Sequence, residues 1–115
     1  MSDNCLFCAI VAGAIPADVV LDDTDVLAFH DVAPQAPLHL LIIPKQHYPT
    51  IAAITSADPA LGSRLLAVAG QLAAELGVAD SGFRLVVNTG RDGGQSVDHA
   101  HVHLLGQRQL GWPPG

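Results

Sequence analysis

The stretch SVDHAHVHLLG, residues 96–106, restricts the fold of this chain more than any other. It sets His99, His101 and His103 at every second position. Alternate side chains of a strand share a face, roughly 6.5–7 Å apart. On a helix His99 and His103 would share a face and His101 would point away. The strand reading uses all three rings and sends Ala100, Val102 and Leu104 to the opposite, apolar side. A two-faced strand is predicted, packed on one side, with its imidazoles turned outward.

The rest of the chain supplies partners for such a strand. DVVLDD and DVLAFHD are β-rich runs joined by acidic turn residues, a hairpin around Asp22–Asp25. APQAP breaks the chain at Pro34 and Pro37, and LHLLIIP then reads as a buried strand ending at Pro44. FRLVVN alternates like a further strand. Residues 4–12 suit a short helix with Asn4 as its N-cap and Gly13 as its end. One long helix is expected from Asp58, with Pro59 in its first turn, an apolar stripe of Leu61, Leu65, Val68, Leu72 and Leu76, and Gly77 at its close. The tail GWPPG cannot be regular structure. Together these give an α+β domain over residues 1–115: an antiparallel sheet of about five strands with one long and one short helix.

Half of the 115 residues are hydrophobic and 14% are charged, which suits a folded domain. The net charge is −6, and the basic residues Lys45, Arg64, Arg84, Arg91 and Arg108 are scattered. That excludes the basic stripe a nucleic-acid partner requires. A single nucleotide stays compatible, because backbone N–H groups can hold a phosphate. No apolar run approaches the roughly 20 residues that cross a bilayer. No Lys or Arg precedes Lys45, so the apolar CLFCAIVAGAIPA lacks the basic start of an export signal. A soluble cytoplasmic protein with reduced cysteines is expected.

Three histidines on one face suit a metal site, a catalytic row or a polar surface. In-line spacing on a straight strand makes convergence on one ion difficult. Histidine can be a neutral nucleophile near pH 7 and a cation beside a phosphate. Gly93-Gly94-Gln95-Ser96 runs directly into the row. It offers close backbone approach at Gly94 together with an amide and a hydroxyl, which favours phosphate chemistry. Cys5-x-x-Cys8 is half of a zinc site, two buried thiols on one helix face, or a redox dithiol without the βαβ context such a dithiol normally has.

HAHVHLL matches the His-φ-His-φ-His-φ-φ signature of the histidine triad (HIT) family, where φ is apolar. IPADVVLDDTDVLAFHDVAPQAPLHLLIIPKQH, LVVNTGRDGGQSVDHAHVHLLG and the closing WPPG extend the resemblance over nearly the whole chain. They resemble its Hint branch, the purine nucleoside phosphoramidate hydrolases. The resemblance implies that His101 is the nucleophile at the α-phosphorus, with His99 and His103 flanking it. Ser96 would help protonate the leaving amine, and His39 would orient the row from beneath. Gln95 and Asn88 would contact the phosphate and ribose region, and Asp31 would accept from the ribose hydroxyls. Phe7, His30, Val32 and Leu41 would line the base pocket. The family's homodimers share a continuous sheet, and the tail with Trp112 approaches the partner's site. Imidazoles and loop donors can supply the charge stabilisation, so this chemistry needs no metal. The alternatives are a HIT hydrolase for dinucleoside polyphosphates or other nucleotidyl leaving groups, or a binding protein with little turnover.

Two positions depart from that pattern. Asp98 stands where close Hint relatives carry an aromatic, and Cys5-x-x-Cys8 is lacking in the vertebrate-type pattern. In similar bacterial HIT proteins and in the related uridylyltransferases, such a pair binds zinc with two histidines. Carried over, these are His47 and His99, and the four ligands would form a closed structural site.

Overall fold

The computed structural model describes residues 4–115, so the first three residues of the expected 1–115 domain lie outside it. The described residues form α1 (Leu6–Val11), β1 (Val19–Asp22), β2 (Val26–His30), β3 (Leu38–Pro44), α2 (Ile51–Ala57), α3 (Pro59–Glu75), β4 (Phe83–Val86) and β5 (Val102–Gly106). The strands make one antiparallel sheet in the order β1-β2-β3-β5-β4. The α+β class and the five strands are as the sequence predicts.

The hairpin turn is held by Asp23, whose Oδ1 accepts from Asp25 N at 3.0 Å and Val26 N at 2.8 Å. The long helix begins as its residues dictate. Asp58 caps it by accepting from Leu61 N at 3.3 Å, and Pro59 fills the first turn. At its end Gly77 takes φ +81°. Gly77 N then donates to Ala74 O at 3.3 Å and Val78 N to Ala73 O at 2.9 Å, a Schellman closure that seats buried Val78 against the core.

Alternation divides the sheet between two layers. Val26, Ala28, Leu38, Leu40, Ile42, Val102 and Leu104 face α2 and α3, where they meet Ile54, Leu61, Leu65, Val68 and Leu72. The other face carries Leu27, Phe29, Leu41 and Ile43, which pack against Phe7 and the cysteines of α1. His39 and His103 lie on this second face, between the apolar positions of β3 and β5.

Four expectations need correction. A second short helix, α2, follows His47; Thr50 caps it by accepting from Ala53 N at 3.2 Å. The N-cap of α1 is Cys5, not Asn4, because Cys8 N donates to Cys5 Sγ at 3.2 Å. Leu76 falls beyond the last turn of α3 and is exposed. The strand of the histidine row starts only at Val102: the last ladder pair is Ile42 with Val102, and Ala100 N turns instead to Tyr48 O in the loop after β3.

Candidate active site

Beyond that last pair, residues 95–101 are held by the loop after β3, by Pro44 at the end of β3 and by bonds within their own loop. Ala100 N donates to Tyr48 O at 2.7 Å. Gln95 Nε2 donates to Pro49 O at 2.7 Å and Val97 O at 3.0 Å, and its Oε1 accepts from Gly90 N at 3.0 Å. His99 Nε2 meets Pro44 O at 2.8 Å. The two-faced pattern survives without ladder bonds: Ala100, Val102 and Leu104 enter the main core. Two of the three imidazoles, however, do not face solvent. His99 is 0% and His101 4% exposed, because α1 lies over them. Phe7 meets the His101 ring edge-on at 5.1 Å and the His99 ring at 5.8 Å.

Backbone partners assign the ring protons. A carbonyl only accepts, so His101 Nδ1, 2.7 Å from His99 O, donates. In the neutral ring the lone pair is then on Nε2. Gln35 N donates to His39 Nδ1 at 3.0 Å, which puts the proton of neutral His39 on Nε2. That Nε2–H donates to His103 Nδ1 at 2.9 Å, so neutral His103 presents Nε2–H. One lone pair and one N–H thus stand on adjacent rings whose centres are 4.9 Å apart.

Electrostatics favours the neutral forms of His39, His99 and His103. Burial pushes His103 down to about 4; the His101 and His39 rings add to this and Asp31 opposes it. Burial lowers His39 too, against the carboxylate of Asp31, whose Oδ2 is 3.5 Å from His39 Nε2. His99 is lowered first by burial, and its hydrogen bond to Pro44 works in the opposite direction.

His101 and His103 open onto a cavity of about 300 Å³. Phe7, His30, Asp31, Val32, Leu41 and Ser96, all expected at the site, join them in its wall. Asp31 is fixed by an Asx turn, its Oδ1 accepting from Ala33 N at 2.8 Å. Val32 overhangs the mouth at 98% exposure. Asn88, Gly94, Gln95 and Trp112 lie outside this wall; the amide of Gln95 holds the loop, and Trp112 is exposed on the tail. A larger cleft of about 450 Å³ elsewhere carries Lys45 and Arg64, but these cations pair with Asp22 and Asp23.

The ring of His99 faces away from the cavity. With Nε2–H committed to Pro44 O, its Nδ1 lone pair points at Cys5, Cys8 and His47. Cys5 Sγ and Cys8 Sγ lie 3.3 and 3.6 Å from it, His47 Nδ1 lies 3.1 Å from it, and Cys8 Sγ is 3.3 Å from His47 Nδ1. A tetrahedral ion with bonds of about 2.3 Å to sulfur and about 2.05 Å to nitrogen has S···N edges of about 3.6 Å and N···N edges of about 3.3 Å. The spacing matches those edges within a few tenths of an ångström. The cluster can hold a metal ion, and the Pro44 carbonyl is the outer partner a ligating histidine needs.

The HIT domain profile matches residues 12–110, most of the chain. The chain belongs to the HIT family. It is 49% identical over 115 residues to an uncharacterized HIT-like protein of Synechococcus elongatus, covering all of both chains. The crystal structure of a HIT family hydrolase from Legionella pneumophila superposes with a TM-score of 0.94 at 53% identity, over 97% of this chain and 100% of that one. A histidine triad protein from Clostridium difficile gives 0.92 at 40% identity, over 96% of each chain.

Sequence reading missed part of this HIT cavity: Leu6, Ile10, Ile15, Pro16, Ala17 and Val97 complete its apolar wall. The available signal was AIPA directly after Gly13, where φ +78° turns the chain back from α1.

Proposed function

We propose that this HIT protein is a nucleotide hydrolase cleaving the P–N bond of purine nucleoside 5′-phosphoramidates. The observation that carries this reading is the orientation of His101. Its Nδ1–H is held by His99 O, which leaves the Nε2 lone pair on a ring that shares a cavity with His103, Asp31 and an apolar wall. The wall suits a stacked purine, and the Asp31 carboxylate suits a ribose diol. His101 Nε2 attacks the α-phosphorus, and the P–N bond to the amine breaks as the new bond forms. The leaving nitrogen keeps the electron pair and takes a proton from solvent by way of Ser96. The His103 Nε2–H donates to a nonbridging oxygen, whose charge grows in the transition state. Water then attacks the nucleotidyl-His101, gives up one proton to solvent and releases the monophosphate. The electron pair returns to Nε2.

Cys5, Cys8, His47 and His99 would hold zinc as a closed structural centre, since two sulfurs and two nitrogens leave no open position. A homodimer is supported by β4, an outer strand whose Phe83, and Val87 just past its end, are 39% and 38% exposed. A second copy pairing there would continue the sheet, and exposed Trp112 would reach towards it. No helix of the described residues is long and apolar enough to cross a membrane. The chain acts as one cytoplasmic domain, without nucleic acid.

A panel of phosphoramidates, dinucleoside polyphosphates and nucleotidyl sulfates, run with wild type and His101→Ala, tests the reading. Phosphoramidates should turn over fastest. The variant should lose hydrolysis and still bind nucleoside monophosphate. Hydrolysis that survives in the variant would falsify the mechanism, and faster polyphosphate cleavage would reassign the substrate.

A further inference from the structure

We propose that the Cys5/Cys8/His47/His99 cluster positions the nucleophile, so that loading the cluster with metal sets the rate of the chemical step. This rests on the reading of His101 as the nucleophile. His99 is then a positioning residue: its ring takes no part at the substrate and acts through its own main chain.

Two lines run from the cluster to His101. The first passes through His99. Its side chain is clamped between Pro44 O on Nε2 and the cluster on Nδ1, and its carbonyl takes the Nδ1–H of His101 at 2.7 Å. The second passes through α1. Cys5 and Cys8 tie this six-residue helix to the cluster, and Phe7 between them packs edge-on to His101 at 5.1 Å and 86°. His101 therefore has its proton fixed from one side and its ring plane fixed from another, and both constraints end on cluster residues.

The local backbone makes this dependence strong. Residues 99–101 have no strand partner, because β5 begins at Val102. Their place is set by bonds to the loop after β3, where Tyr48 O takes the N–H of Ala100 beside the ligand His47. Without an ion, two imidazole nitrogens 3.1 Å apart and two sulfurs depend on shared protons to stay together. With one, four donors from α1, the loop and residue 99 become a single unit. Nucleoside binding would respond less than the chemical step, because Asp31 and Val32 in the segment after β2 and Leu41 in β3 stand apart from the cluster, and only Leu6, Phe7 and Ile10 of the wall ride on α1.

The test uses full-length protein without a polyhistidine tag, zinc content measured by elemental analysis and folding followed by circular dichroism. Metal-poor samples come from chelated wild type, His47→Ala and Cys8→Ser. His47→Cys keeps a complete ligand set. In the metal-poor samples kcat should fall roughly 10- to 100-fold. KM and nucleoside monophosphate affinity should change clearly less than kcat does. Two-bond proton–nitrogen NMR of the imidazoles should show His101 passing from the single Nδ1–H tautomer to a mixture. Adding zinc to chelated wild type, or using His47→Cys, should restore both. A folded, metal-poor sample with unchanged kcat and an unchanged His101 tautomer overturns the proposal. Loss of folding in all three samples also overturns it, in favour of a purely structural centre. If no nucleotide is turned over by loaded wild type, the proposed function fails, and the NMR response to zinc still decides the coupling.

Discussion

The Nδ1 of His101 lies 2.7 Å from the main-chain oxygen of His99, two residues back along the chain. This contact selects which nitrogen of the middle histidine can attack, and it can be separated from the attack itself. Asparagine places an amide N–H near the position of Nδ1 and has nothing at Nε2. His101→Asn should keep the bond to His99 O and lie within about 1 kcal/mol of wild type in urea unfolding. His101→Ala leaves that buried carbonyl unpaired and should cost about 1–3 kcal/mol. Both should lose at least about 10³-fold in kcat. Equal stability of the two variants would show that the contact contributes nothing.

His39 fixes His103 as His99 fixes His101. Its Nε2–H reaches His103 Nδ1 at 2.9 Å, and Gln35 N–H holds its other nitrogen at 3.0 Å. His39→Ala releases His103 to either tautomer, and kcat should drop roughly 10- to 100-fold. His39→Gln can still donate to His103 and should recover part of that loss. A His39→Gln variant no better than His39→Ala would show that the side chain serves only to fill space.

Much of this was legible in the residues, because strong local signals coincide with their tertiary partners. LHLLIIP became β3 at Leu38–Pro44, since both its faces are covered. The Asp58–Pro59 start and Gly77 end of α3 satisfy the orphan groups at each helix end. Where the reading failed, the deciding partner was distant in sequence. Nothing in HAHVH says that the ladder stops at the pair of Ile42 with Val102 or that α1 covers the row. Alternation placed His99 beside His101; its turn away towards Cys5, Cys8 and His47 depends on residues 52 and more positions away. The β-branched IAAITSA gave little helical signal, and its packing through Ile54 holds α2 in place.

Stability should fall with acid in a window set by the buried imidazoles. His103 is pushed down to about 4 in the fold, and His39 is lowered as well, against an unfolded value near 6.5. Between those values the unfolded chain binds more protons than the folded one, so unfolding free energy rises with pH. The contribution is complete above about pH 6.5 and is lost progressively towards about pH 4. Urea midpoints of wild type and His103→Asn, followed from neutral pH downward, isolate it. The wild-type curve should fall more steeply. Parallel curves would mean that His103 titrates alike in both states.

The glycine pair ahead of the histidines makes unequal demands on the loop. A Cβ on Gly93 would sit 2.4 Å from Thr89 O and 2.9 Å from Thr89 N, both backbone atoms that cannot step aside singly. On Gly94 it would meet nothing within 4 Å, but φ there is +77°. Gly94→Ala should therefore cost about 1–2 kcal/mol of left-handed strain and leave the loop in place. Gly93→Ala must displace the turn itself, together with the Gln95 bonds to Gly90, Pro49 and Val97 that hold Ser96 at the cavity. It should lower kcat more than Gly94→Ala does at matched stability. Turnover and urea unfolding of the two variants, measured side by side, decide this; a larger kcat loss in Gly94→Ala would place the critical contact at the second glycine.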